Sequence, residues 1–203
     1  MGYLIVIALA YLMGSSNMAY YLSKLKNVDI RKNGSGNLGA SNATVLFGWG
    51  AGVLVAVHDI GKATLAVLLA GWLFPQLAYA EVIAGVACVL GHIFPFYLKF
   101  KGGKGLASFV GMLVALDWRV AIAAALVVLA VTLVTDYIAL GTISASLAGP
   151  VGVWIAGSGI VAPLIMSIAT VIMIFKHRDN IVRIRNKTEI GLLSTIKGEN
   201  RVK

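Results

Sequence analysis

Apolar residues fall along this chain in long runs, as at 50–57, 63–73, 120–135 and 160–175, with polar residues gathered in short stretches between them. Several runs approach the ~20 residues that carry a helix across a hydrocarbon core. The pattern predicts an all-α polytopic membrane protein with about seven spans, near 3–22, 51–73, 79–98, 104–117, 119–134, 138–156 and 159–175. These make a single integral membrane domain over 1–203, with a tail at 176–203.

Composition narrows the reading. Of 203 residues, 59% are hydrophobic and 12% charged, against roughly a quarter charged in soluble domains. No soluble core buries so many uninterrupted apolar helices. The one cysteine, Cys88, excludes an internal disulfide framework and lies in an apolar run, as a packed thiol does.

Charge sets the expected orientation. With the N-terminus outside, three basic regions face the cytoplasm: Lys24, Lys26, Arg31 and Lys32; Lys99, Lys101 and Lys104; and Lys176, Arg178, Arg183, Arg185, Lys187, Lys197, Arg201 and Lys203. Arg119 alone falls outside and Lys62 lies within a span. This is the positive-inside distribution, and it puts the C-terminus in the cytoplasm. The stretch 104–117 covers about 21 Å at ~1.5 Å per residue, short of a ~30 Å core. Fusing it to the next span would strand the basic tail outside, so a short or re-entering segment is expected. No basic residue precedes Lys24, so the first span lacks the charged start of a cleavable signal.

The net charge of +9 does not imply nucleic acid, because the basic residues hug helix ends, where they meet anionic headgroups. The glycines among them change the picture. The loop Asn33-Gly34-Ser35-Gly36-Asn37-Leu38-Gly39-Ala40-Ser41-Asn42 has glycines that free the backbone to turn N–H groups toward one point, with Ser35, Asn37, Ser41 and Asn42 as side-chain donors. Such a concavity binds anions; an ordinary polar turn uses the same residues. In Lys99-Phe100-Lys101-Gly102-Gly103-Lys104-Gly105, three lysines and three glycines open a helix, as a phosphate site requires. The GxxxxGK[ST] spacing is absent, so phosphate on a small molecule or lipid is expected rather than a nucleotide. A headgroup anchor explains the lysines but not the glycines.

Past the last span, His177, Asn180 and Arg183 recur at three-residue spacing and share one face if the segment is helical, with Glu189 following. A juxtamembrane histidine alone is ordinarily interfacial. Asp59 and Lys62 sit one helical turn apart inside the second span, as a buried structural pair or as part of the chemistry. No HExxH or paired Cys/His set appears, so no metal is expected.

The three loops resemble the three cytoplasmic motifs of the PlsY family, bacterial membrane acyltransferases that use acyl phosphate and glycerol 3-phosphate. The first resembles Gly34-Ser35-Gly36-Asn37 through Gly39, Ala40 and Asn42. The second resembles Gly91-His92-Ile93-Phe94-Pro95 continuing into Phe100-Lys101-Gly102-Gly103-Lys104-Gly105. The third resembles His177, Asn180, Ile181, Arg183 and Glu189, and the Asp59–Lys62 pair matches an Asp-x-x-Lys in the family's second span. One departure stands out. Family members usually carry arginine three residues past the asparagine matching Asn42; this chain has Val45, and a planar bidentate phosphate ligand is missing.

The resemblance implies an acyltransferase of phospholipid synthesis in the bacterial cell membrane, its active site at the cytoplasmic face. It implies acyl transfer from acyl phosphate to the sn-1 hydroxyl of glycerol 3-phosphate, giving lysophosphatidic acid and phosphate without a cofactor. Ser35, Lys104, His177 and Asn180 are the implied catalytic residues. Gly34, Gly36, Asn37, Asn42, Lys101, Gly102, Gly103, Gly105 and Arg183 are the implied substrate-binding ones, with Asp59, Lys62 and Glu189 in support. Either a substrate phosphate or His177 serves as base. The rival reading is a catalytically altered paralogue that binds a phosphate-bearing lipid or acts on a different acceptor. The H-x-x-x-x-D acyltransferase motif is excluded, since Ala63, Tyr97 and Val182 fill the acidic position after the three histidines. The spaced aspartates of CDP-alcohol phosphotransferases are also missing. A transporter would show paired repeats and helices broken near the midplane.

Overall fold

The computed structural model describes residues 1–196; the predicted tail residues Lys197, Arg201 and Lys203 lie outside that range. Every regular element among the described residues is helical. By packing, the chain forms two compact units, Met1–Leu116 and the part from Asp117 onward.

The first unit contains α1 (Gly2–Ser15), α2 (Met18–Leu25), α3 (Ala40–Phe47), α4 (Trp49–Leu73), α5 (Ala80–Ile93), a 3-10 turn (Phe96–Leu98) and α6 (Leu106–Leu116). The predicted first span is two helices. The chain leaves helical geometry at Ser16 and Asn17, and Asn17 caps α2 by accepting the Tyr20 N–H at 2.8 Å. Helix α1 packs along α5, and α4 packs against α5 and α6. Glycine permits the close approaches: a Cβ on Gly14 would overlap the Cys88 backbone, and one on Gly111 would overlap the Ile60 carbonyl. Thr64 reinforces the second contact by donating to the Gly111 carbonyl at 2.9 Å. Cys88 is a buried free thiol, as expected.

The second unit contains α7 (Trp118–Thr135), α8 (Ile138–Ile155), α9 (Val161–Lys176), α10 (Arg178–Arg185) and α11 (Leu192–Ile196). Asp117 caps α7 by accepting the Arg119 N–H at 2.8 Å. Gly141, Ala145 and Gly149 are buried on α8. Their four-residue spacing puts small residues on one stripe, which lets neighbours pack closely. Helices α8 and α9 are tied by Thr170, whose hydroxyl donates to the Ser146 carbonyl at 2.7 Å.

Among the described residues, five helical segments are long and apolar enough to cross a membrane: Gly2–Leu25, Trp49–Leu73, Ala80–Leu98, Trp118–Thr135 and Ile138–Ile155. A sixth arises if Val161–Lys176 and Arg178–Arg185, bent by 44°, count as one. The predicted short span at 104–117 is the 11-residue α6, about 16 Å long at ~1.5 Å per residue. Seven predicted spans thus correspond to five or six by length, with α6 too short to cross alone.

Candidate active site

The loop before α3 is organised by one buried side chain. The Asn42 amide nitrogen lies 3.1 Å from the carbonyls of Ile30 and Asn33 and 3.2 Å from that of Asn37, and its oxygen accepts the Ser35 N–H at 3.0 Å. Its N–H donors are engaged within the loop. Asn42, expected as a substrate ligand, braces the loop from inside through these bonds. Gly34 and Gly36 have φ of 59° and 69°, left-handed values that glycine adopts at little cost, and a Cβ on Gly34 would overlap the Asn42 amide oxygen. Ser35 is exposed and Asn37 half-buried. At the loop's start Arg31 donates to Asp29 at 3.0 and 3.2 Å. These hydrogen bonds hold the Asp29 carboxyl below its ordinary range.

The second loop folds back on the end of α5. The Gly102 N–H donates to the Ile93 carbonyl at 3.0 Å and the Gly103 N–H to the His92 carbonyl at 3.1 Å. These two donors are spent on the backbone, which corrects the expectation that bare glycine N–H groups here await a phosphate. Close packing explains the glycines instead. A Cβ on Gly102 would overlap the His92 carbonyl, and one on Gly103 would overlap Nε2 of the His92 ring. Lys99 and Phe100 turn the chain with φ of 55° and 59°, values costly for residues with a Cβ. Lys101 is exposed, Lys104 half-buried, and Gly105 turns into α6 with φ of 98°.

The ring that Gly103 covers belongs to a buried polar cluster. The Lys62 ammonium meets Asp59 Oδ1 at 2.7 Å, donates to the Ser16 carbonyl at 2.6 Å, and donates to His92 Nδ1 at 3.1 Å. An ammonium has three N–H donors, and three acceptors surround this one. His58 bridges the same carboxylate, at 3.2 Å through Nδ1, and the Ser16 hydroxyl, at 3.0 Å through Nε2. The expected buried Asp59–Lys62 pair is thus present. The second motif includes His92 without tying it to this pair; Ser16 and His92 lie 46 and 30 residues from Lys62 in sequence, and His58, next to Asp59, carries no signal of its own.

In the second unit His177 is buried where α9 meets α10 and donates from Nδ1 to the Met173 carbonyl at 2.7 Å. Helix α10 supplies the predicted shared turn. Asn180 donates to Glu189 Oε1 at 2.5 Å and Arg183 to Oε2 at 2.6 Å, so Glu189 brackets both donors. Charge-assisted bonds of this kind fix the plane of a guanidinium. Val45, where the resemblance leads one to expect an arginine, is on α3 and 65% exposed, whereas Asn42 and Ala43 of the same helix are buried.

Comparison with known proteins identifies the family. A family model described as glycerol-3-phosphate acyltransferase matches residues 4–187. The glycerol-3-phosphate acyltransferase 1 of Oceanobacillus iheyensis is 37% identical over 203 aligned residues, covering 96% of this chain and 97% of that protein. The corresponding protein of Mesorhizobium japonicum is 35% identical, with 93% and 95% covered. The crystal structure of PlsY, an integral membrane glycerol 3-phosphate acyltransferase, in its glycerol 3-phosphate form superposes with a TM-score of 0.89 at 33% identity, covering 96% of this chain and 98% of that one. Its lysophosphatidic acid form gives 0.86 at 34% identity, with 94% and 95% covered. With apolar helices of spanning length and a family match over residues 4–187, this multi-pass membrane protein belongs to the glycerol-3-phosphate acyltransferase family.

Proposed function

We propose that the chain transfers a fatty acyl group from acyl phosphate to the sn-1 hydroxyl of glycerol 3-phosphate, at the cytoplasmic face of a bacterial cell membrane. The reading rests on the likeness over 96% of the chain to a PlsY solved in a glycerol 3-phosphate form. The hydroxyl oxygen attacks the acyl carbonyl carbon and the carbon–oxygen bond of the mixed anhydride breaks. The hydroxyl proton leaves on the departing phosphate. Lysophosphatidic acid and hydrogen phosphate are the products, and no protein group is acylated. Because the leaving group is already good, the protein's task is to hold two anions together and stabilise developing charge.

Roles follow unit by unit. In the first, Lys104 and Lys101 supply positive charge for phosphate, and exposed Ser35 donates from the loop that Asn42 braces. Gly34, Gly36, Gly102, Gly103 and Gly105 give the two loops their shape, and Asn37 completes the first. In the second, Asn180 and Arg183 are held by Glu189 as oriented donors, and His177 is fixed in one tautomer by Met173. To test this, detergent-purified protein is given long-chain acyl phosphate and glycerol 3-phosphate and its products are identified by mass. Lysophosphatidic acid with equimolar phosphate is expected; free fatty acid alone, or no product, contradicts the reading.

Val45 bears on the same point. A hydrogen bond to an ionised group contributes ~1.5–3 kcal/mol, roughly ten- to a hundredfold in affinity. Val45→Arg is therefore expected to lower the KM for glycerol 3-phosphate by about tenfold or more in an active enzyme. An unchanged KM puts position 45 away from the substrate. An inactive native protein that Val45→Arg awakens is the signature of an altered paralogue.

A further inference from the structure

The cluster beneath the second loop has no place in the reaction as written, yet its connections run to the lysine-bearing loop. The His92 ring is buried, at 3% exposure, between the Lys62 ammonium and the body of Gly103. Lys62 approaches Nδ1 at 3.1 Å, nearer than the 3.5 Å between Nδ1 and Asp59. An ammonium only donates, so the hydrogen-bond network assigns Nδ1 as acceptor and puts the ring proton on Nε2, the edge that Gly103 covers. The same lysine donates to the Ser16 carbonyl at the end of α1, where the helix dipole is negative. Tyr97 donates to the Ser15 carbonyl at 2.9 Å and Tyr11 to the Phe94 carbonyl at 2.7 Å, lacing the ends of α1 and α5 together around the cluster. The carbonyls of His92 and Ile93 in turn receive the N–H groups of Gly103 and Gly102.

We propose that Asp59, Lys62 and His92 are positioning residues of the acyltransferase, a buried ionic seat that fixes where the 99–105 loop, and with it Lys104, lies. This inference rests on the function proposed above and adds to it: the pair inside the membrane serves substrate binding through the loop, besides neutralising itself. His58 takes part by bonding Asp59 on its other side.

The test removes both charges together in Asp59→Leu/Lys62→Met, since replacing a buried pair by apolar groups leaves no unpaired charge behind. The readouts are kcat and the KM for glycerol 3-phosphate. A positioning role predicts a KM raised ~10-fold or more, the value of one charge-assisted contact, with kcat within about threefold. Unchanged constants in a folded double variant leave the pair a packing element only and overturn the proposal. A second measurement avoids the charges. Gly103→Ala is expected to raise the same KM in the native background and to add little once His92→Ala has emptied the space its methyl would strike. If Gly103→Ala costs as much with His92 gone, Gly103 acts on something other than the ring and the proposal fails. Lys104→Gln is measured alongside. A raised KM there keeps the loop in the site, so that failure of the other variants counts against the seat alone. A silent Lys104→Gln removes the loop from the site and takes the inference with it.

Discussion

Replacing Asp59 by alanine is expected to lower stability by about 3–5 kcal/mol, the cost of breaking a buried ion pair from one side. Asp59 is 1% exposed and receives Lys62 at 2.7 Å and His58 at 3.2 Å. Without it, the Lys62 ammonium keeps two neutral acceptors, the Ser16 carbonyl and His92 Nδ1. Its charge then lies unpaired where water does not reach. For a chain of this size each kcal/mol moves Tm by ~2–4 °C, so thermal unfolding in detergent falls by roughly 10 °C. A Tm within about 2 °C of the native value shows that the carboxylate does not hold the lysine. Asp59→Leu combined with Lys62→Met recovers most of the loss, since no charge is then stranded.

Gly102→Ala is expected to reduce kcat/KM about 100-fold, the penalty for displacing a binding group by around 1 Å. The new methyl would overlap the His92 carbonyl and crowd the Ile93 carbonyl and the Pro95 ring. Two of these neighbours are main chain and the third is a closed ring, so no side-chain rotation makes room. The loop must lift from α5 and break the hydrogen bonds from Gly102 and Gly103. Because the damage is local to a loop, Tm changes far less than in Asp59→Ala. A variant with kcat/KM within threefold of the native enzyme means that the seating of 99–105 is irrelevant to turnover.

Much of this molecule is readable from its sequence, and the limits have physical causes. The apolar runs mark the spans because twenty-odd uncharged residues have few other uses, and α4, α7 and α8 end within two residues of their expected bounds. The break in the first span is visible only as Ser15-Ser16-Asn17, a polar trio that an unbroken helix also tolerates. Helix α3 was read as the end of a loop, since a short turn of Ala40, Ser41 and Asn42 carries little periodicity. The motifs pick out residues but not their contacts. The spacing offers Asn42 as a donor and Gly103 as bare backbone; in the structure Asn42 hydrogen-bonds within its loop and Gly103 packs on the His92 ring. Both differences turn on tertiary contacts between elements, which spacing along a chain does not encode. The Glu189 bracket on Asn180 and Arg183 is the opposite case. Its partners lie six and nine residues away, and the motif placed all three together.

The most direct measurement of the central claim is the fate of the acceptor oxygen. Glycerol 3-phosphate carrying a heavy oxygen isotope in its sn-1 hydroxyl is turned over with unlabelled acyl phosphate, and both products are weighed. Attack of that hydroxyl on the acyl carbonyl predicts heavy lysophosphatidic acid and light phosphate, with no acylated protein at any time. Heavy phosphate, light lysophosphatidic acid, or an acyl group found on the chain itself contradicts it.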